Sequence, residues 1–190
     1  MIEAELKARV REPEAVMRAL ESLAGARVEV YQDTYYDRPH GDLHARDQEL
    51  RVRTVNGQDD TRTVLTFKDA KVDEESGSKP EYETGVEDAE TMHAIARGLG
   101  YVSVIVFEKR CRNYSFTAHG RQMLATLVRV PEIDGTFIEL ETLVDETDVP
   151  AALATVRAVL VDLGIDESDL TREKYTDAVQ SARRTDQLSR

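Results

Sequence analysis

Alternation dominates the start of the chain. Ile2, Ala4, Leu6, Ala8 and Val10 take every second position, with Glu3, Glu5, Lys7 and Arg9 between them. That period-two pattern predicts a strand with one apolar face and one charged face. Shorter patterns of the same kind predict strands at 28–36, 49–55, 62–68, 81–86, 105–116, 122–130 and 136–143. Turn-forming residues separate several of them: Pro39-His40-Gly41-Asp42, Asn56-Gly57, Ser76-Gly77-Ser78 and His119-Gly120. Helical spacing follows Pro13 through Val16, Leu20 and Leu23 and stops at Gly25. Asp88 can cap a second helix carrying Met92, Ile95 and Leu99, which ends at Gly100. Pro150 opens a third, with Leu153, Val156, Leu160 and Leu163 before Gly164. A short helix is predicted at 172–180, and the polar segment 181–190 reads as a disordered tail. No repeat or linker divides residues 1–180, so the expectation is one α+β domain.

The polar faces are unusual. Arg51 and Arg53 share one face of their strand, Arg62 and Lys68 share another, Glu81 and Glu83 flank Tyr82, and Glu139 and Glu141 flank Leu140. An ordinary antiparallel sheet turns such residues to solvent, which accounts for each strand singly. It accounts poorly for repeated Glu-x-Glu pairs, whose carboxylates stand about 7 Å apart on one face and repel unless cations are near. The Arg and Lys pairs repel likewise. Gathering both sets around one site, with a divalent metal on the carboxylates and a polyphosphate on the basic residues, relieves both. Closing the sheet into a barrel does this: charges line the lumen and apolar faces lie outside, under helices.

Composition narrows the classes. The 190 residues are 41% hydrophobic and 33% charged, as in a globular protein, with a formal net charge of −12. That charge argues against general nucleic-acid binding, although 25 Lys and Arg can still be concentrated in one place. No apolar run approaches the ~20 residues of a membrane helix. One cysteine, Cys111, excludes an intrachain disulfide and reads as a packing residue; the opening residues lack a secretory signal, so a cytoplasmic location is expected. His40, His44, His93 and His119 are too dispersed for a zinc site. Tyr35, Tyr36 and Tyr114 suit packing or ligand contact equally, and residues 69–79 read as a surface loop, with a lid as the alternative.

Glu3-Ala4-Glu5-Leu6-Lys7 is similar to the E-x-E-x-K motif that opens the CYTH superfamily, the triphosphate tunnel metalloenzymes. In order along the chain follow Asp33-Thr34-Tyr35-Tyr36-Asp37, Leu50-Arg51-Val52-Arg53, Leu65-Thr66-Phe67-Lys68, Glu81-Tyr82-Glu83, Phe107-Glu108-Lys109-Arg110 and Gly135-Thr136-Phe137-Ile138-Glu139-Leu140-Glu141. With Lys174-Tyr175 similar to a late tyrosine motif, the resemblance spans residues 2 to about 176. The layout most resembles the class IV adenylate cyclase branch. It implies a closed antiparallel β-barrel of about eight strands forming a charged tunnel, with helices packed outside. It further implies that Glu3, Glu5, Glu139 and Glu141 bind Mg2+ or Mn2+, and that Lys7, Arg51, Arg53, Lys68 and Lys109 hold the triphosphate. Glu81 and Glu83 would complete an acidic lining, and Lys7, Glu5 and Glu139 would be catalytic. The implied partner is a nucleoside triphosphate or inorganic polyphosphate, with no nucleic acid and no membrane; a homodimer stays open. The implied reaction converts ATP to cyclic AMP and pyrophosphate. An inorganic, thiamine or nucleoside triphosphatase and a degenerate nucleotide- or polyphosphate-binding module are the alternatives. Two positions depart from the family pattern. Val128 or Arg129 stands where an Asp is usual, with Glu132 or Asp134 as candidate replacements, and Cys111 stands at a usually basic position between Arg110 and Arg112.

Overall fold

The computed structural model describes residues 2–73 and 77–188. Eight strands form one antiparallel sheet: β1 (Ile2–Val10), β2 (Arg27–Asp37), β3 (Glu49–Asn56), β4 (Thr61–Lys68), β5 (Glu81–Val86), β6 (Val102–Ala118), β7 (Arg121–Arg129) and β8 (Thr136–Val144). Their spatial order is β1-β8-β7-β6-β2-β3-β4-β5. The helices are α1 (Pro13–Leu23), α2 (Asp42–Ala45), α3 (Ala89–Gly98), α4 (Val149–Asp162) and α5 (Tyr175–Leu188). Every predicted strand is present. The four-residue α2 was not anticipated; Asp37 organises it by accepting from the backbone N–H of Leu43 and His44. Helix α5 starts later than the sequence suggests and continues through 181–188, where a frayed tail was expected. It is held there because Arg183 forms two hydrogen bonds to the Glu132 carboxylate and Val179 is fully buried. Ser76 of the expected Ser76-Gly77-Ser78 turn, and residues 189–190 of the expected tail, lie outside the described residues.

The alternation in β1 decides the packing. Ala4, Leu6 and Ala8 turn outward and are buried with Ile138 and Leu140 of β8, their neighbours in register. The small side chains of Ala4 and Ala8 let α4 lie close, placing Leu153, Val156 and Leu160 in the same core. α4 then stops at Gly164, whose φ of 83° is a left-handed conformation that glycine adopts without steric cost. A second core joins Phe107, Cys111, Val128 and Phe137 to Tyr175 and Val179 of α5. A thinner third core, with Tyr36 and Val52, lies under Ala96 of α3.

The closed barrel implied by the resemblance is corrected here: the sheet is not closed by hydrogen bonds. Its edge strands are β1 and β5. Part of the free edge of β1 is occupied by another segment, since Thr171 donates its N–H to Lys7 O and Ala8 bridges to Leu170. Among the described residues, the backbone meets across the seam at the Ile2–Pro80 bridge, and β5 is only six residues long. Side chains complete the seam.

The core assignment separates two leucines of β8. Leu140→Ala, fully buried in the α4 core, is expected to cost about 2–5 kcal/mol, whereas Leu143→Ala, 55% exposed, should stay within about 0.5 kcal/mol. Urea denaturation of both variants checks this.

Candidate active site

Because side chains alternate, the faces opposite the first and third cores converge on a cavity of about 580 Å³ inside the curled sheet. The second core shares that inner face, with Phe107 and Cys111 on the side of Lys109 and Phe137 on the side of Glu139. All the residues expected in the site line it: Glu3, Glu5 and Lys7 from β1, Arg51 and Arg53 from β3, Lys68 from β4, Glu81 and Glu83 from β5, Lys109 from β6, and Glu139 and Glu141 from β8. Register explains the convergence. Glu5 lies opposite Glu141, Lys7 opposite Glu139, and Lys68 opposite Glu81.

The carboxylates divide into two groups. One oxygen each from Glu3, Glu5 and Glu141 can be chosen so that all three lie within 4.8 Å of one another. Burial raises the pKa of all three; repulsion from Glu139 adds to it at Glu5, from Glu3 and Glu5 at Glu141, and from Glu81 and Glu5 at Glu3, which is pushed up to about 8. Hard oxygen donors that cannot all ionise without a counter-charge suit a divalent Mg2+ or Mn2+. Glu139, also expected among the ligands, is not one of these three but faces Glu5, whose pKa its charge raises. Its Oε1 is 3.3 Å from Lys109 Nζ, and although burial opposes its charge, Lys109 and Lys7 outweigh that and lower its pKa. Glu81 behaves similarly: burial opposes ionisation, but Lys68 and Arg51 hold the carboxyl down at about 2.

Each basic side chain has a defined seat. Lys68 Nζ lies 2.8 Å from Glu3 and 2.6 Å from Glu81. Arg53 donates from Nε and Nη2 to the two oxygens of Asp33 at 2.6 and 2.7 Å, and its guanidinium sits over the Tyr31 ring. Arg51 donates to Thr66, whose hydroxyl donates to Glu83. Lys7 donates to the backbone carbonyl of Glu173. Burial lowers the Lys7 pKa, partly offset by Glu139 and Glu5.

The chain belongs to the CYTH domain family, which matches residues 1–175. The chain is 26% identical over 178 residues to a Methanocaldococcus jannaschii protein named as a candidate adenylate cyclase, covering 92% of this chain and 97% of that one. The structure of PH1819 from Pyrococcus horikoshii superposes with a TM-score of 0.80 at 25% identity, covering 94% of this chain and 98% of that one. HpAC1 from Hippeastrum, a candidate adenylyl cyclase described as having dominant triphosphatase activity, has the same fold, with a TM-score of 0.65, 18% identity and coverage of 95% and 96%.

Within this CYTH chain, the two departures have a packing explanation. Val128 pairs with Cys111 and Phe137 in register, and all three belong to one buried core. β7 therefore presents Leu124 and Thr126, not a carboxylate, to the cavity. Neither candidate replacement lines the cavity, and the Glu132 carboxylate is paired with Arg183. Cys111 is a packing residue, its thiol pushed up to about 12 by burial. Tyr35 lines the cavity, while Tyr36 and Tyr114 belong to the outer cores.

Sequence reasoning missed Asp33 as the partner of Arg53, although it stands in the quoted Asp33-Thr34-Tyr35-Tyr36-Asp37 motif. Glu49 of the lining was not anticipated, and Arg62, Lys174 and Tyr175, each noted in the sequence without a site role, line the cavity as well. Lys174 closes one end of the cavity by pairing with Glu49 at 2.7 Å. Asp47, held at a φ of 57°, accepts there from Lys79 at 3.0 Å.

The Asp33–Arg53 pair sets a pH dependence. Burial opposes ionisation of Asp33, but Arg53 outweighs it and lowers the pKa from 3.8 to about 2. A depressed carboxyl stabilises the fold above its unfolded pKa and loses that stabilisation as pH falls through the folded one. The stability advantage of wild type over Asp33→Asn should therefore shrink by about 2 kcal/mol between pH 4 and pH 2. Denaturant unfolding of the two proteins across that range is the check.

Proposed function

We propose that this CYTH protein is a metal-dependent enzyme that cleaves a triphosphate, converting ATP to cyclic AMP and pyrophosphate. One observation carries the reading: a three-carboxylate cluster and seven Lys and Arg side chains meet in one cavity. Carboxylates alone would serve any cation, and basic residues alone any anion. Together they suit a metal–triphosphate complex. The Methanocaldococcus jannaschii relative, by its name, supports the cyclase assignment.

Glu3, Glu5 and Glu141 would hold Mg2+ or Mn2+, which when bound neutralises phosphate oxygens and makes the phosphorus a better electrophile. Arg51 and Arg53 offer planar, pre-oriented donors to the triphosphate, with Arg53 fixed by Asp33. Lys68, Lys7 and Lys109 supply compact charges on the other walls, stabilising the negative charge that builds on the leaving oxygen. Glu139 keeps Lys109 charged and in place. In a cyclase the ribose 3′-hydroxyl attacks the α-phosphorus and pyrophosphate leaves.

A second reading is a triphosphatase, in which water attacks the terminal phosphorus. The activity described for the Hippeastrum protein favours it, and the same residues would serve.

Incubation with ATP, tripolyphosphate and thiamine triphosphate, each with Mg2+ or Mn2+, separates the two. Cyclic AMP with pyrophosphate is the expected product set; orthophosphate supports the second reading, and binding without turnover contradicts both. The clamp makes its own prediction. Arg53→Ala and Lys68→Ala should weaken ATP, GTP and tripolyphosphate by similar factors, roughly tenfold each, because the contacts are to phosphate. Isothermal titration checks it, and unchanged tripolyphosphate affinity would remove that residue from the clamp.

A further inference from the structure

Tyr175, the first residue of α5, is 7% exposed and lines the cavity, and its hydroxyl makes no hydrogen bond of good geometry, although the Glu139 carboxylate faces it. Native interiors seldom leave a buried donor unpaired. Among the described residues, the other unpaired buried donor on the cavity wall is Arg51 Nε, on β3.

The ring is as specifically placed as the hydroxyl. Lys7 Nζ lies 4.5 Å and Lys109 Nζ 4.2 Å from its centroid. Two ammonium groups this close to one ring repel each other, and the negative potential of the ring face offsets part of that repulsion. Phe137 packs edge-on at 5.5 Å and fixes the ring plane. Lys7 is also tied to the start of α5 through the Glu173 carbonyl. Two cations with an uncommitted hydroxyl donor beside them match a ligand carrying several anionic oxygens around one centre, as a phosphate group does.

We propose that Tyr175 is a substrate-binding residue: its hydroxyl donates to a phosphate oxygen of the bound triphosphate, while its ring seats Lys7 and Lys109 against that same phosphate. This rests on reading the cavity as a triphosphate site. α5 then supplies part of the anion site rather than only covering the sheet, and the hydroxyl gains its partner when ligand binds.

The test is titration of the full chain with tripolyphosphate, without added metal and with Mg2+, for wild type, Tyr175→Phe, Tyr175→Leu and Lys68→Ala. Tyr175→Phe keeps the ring and removes only the hydroxyl. Its ligand-free melting temperature should equal or exceed that of wild type, because a buried unpaired polar atom is gone, while affinity should fall about tenfold. Tyr175→Leu removes the ring face as well and should bind more weakly than Tyr175→Phe. A hydroxyl that is merely trapped in the core would leave the Tyr175→Phe affinity at the wild-type value. That result, with wild type binding and Lys68→Ala weakened, overturns the role of Tyr175 alone. Wild type failing to bind tripolyphosphate in either condition overturns the triphosphate reading together with this proposal.

Discussion

Lys68 holds the two edges of the sheet together. Its ammonium reaches Glu3 on β1 and Glu81 on β5, strands whose backbones meet at the Ile2–Pro80 bridge. Opposite charges in a partly dry space attract strongly, and removing one partner leaves a buried charge uncompensated. The same principle governs the rest of the cavity. Arg53 rests on Asp33, and Lys109 on Glu139. The sheet can curl around so many ionised groups because Lys68, Arg53 and Lys109 are each paired with a carboxylate before any ligand arrives, while Lys7 rests on the Glu173 carbonyl.

This pairing links structure to the proposed chemistry. Glu3 is both a partner of Lys68 and a member of the three-carboxylate cluster. In the proposed reaction a cation on Glu3 takes one of the partners of Lys68, leaving its ammonium available to phosphate. Metal would then raise triphosphate affinity, and by linkage triphosphate would raise metal affinity by the same factor. A helix completes the arrangement: α5 brings Lys174 to Glu49 and Tyr175 to Lys7 and Lys109.

Much of this was legible in the sequence because alternation is a local signal. Ile2 to Val10 announces both a strand and its charged face, and the Glu-x-Glu pairs at 3–5 and 139–141 announce that the face needs cations. Partnership was harder to read. Nothing local says that Glu141 joins Glu3 and Glu5 while Glu139 turns to Lys109; the register between β1 and β8 decides it. Asp33 was visible as part of a motif, but its function depends on lying opposite Arg53. The open seam was hidden for a similar reason, since residues 170–171, far along the chain, occupy part of the β1 edge. Residues 181–188 look like a tail by composition, and long-range contacts through Val179 and Arg183 make them helix.

In the proposed site one divalent cation binds between β1 and β8 on Glu3, Glu5 and Glu141, with Glu139 held by Lys109. Titration with Mn2+ in the presence of tripolyphosphate, followed by electron paramagnetic resonance, tests it most directly in wild type and in the Glu5→Gln, Glu141→Gln and Glu139→Gln variants. One bound Mn2+ is expected in wild type, with loss of that site in Glu5→Gln and Glu141→Gln and retention of it in Glu139→Gln. Loss in Glu139→Gln equal to that in Glu5→Gln, or full retention in Glu141→Gln, would contradict it.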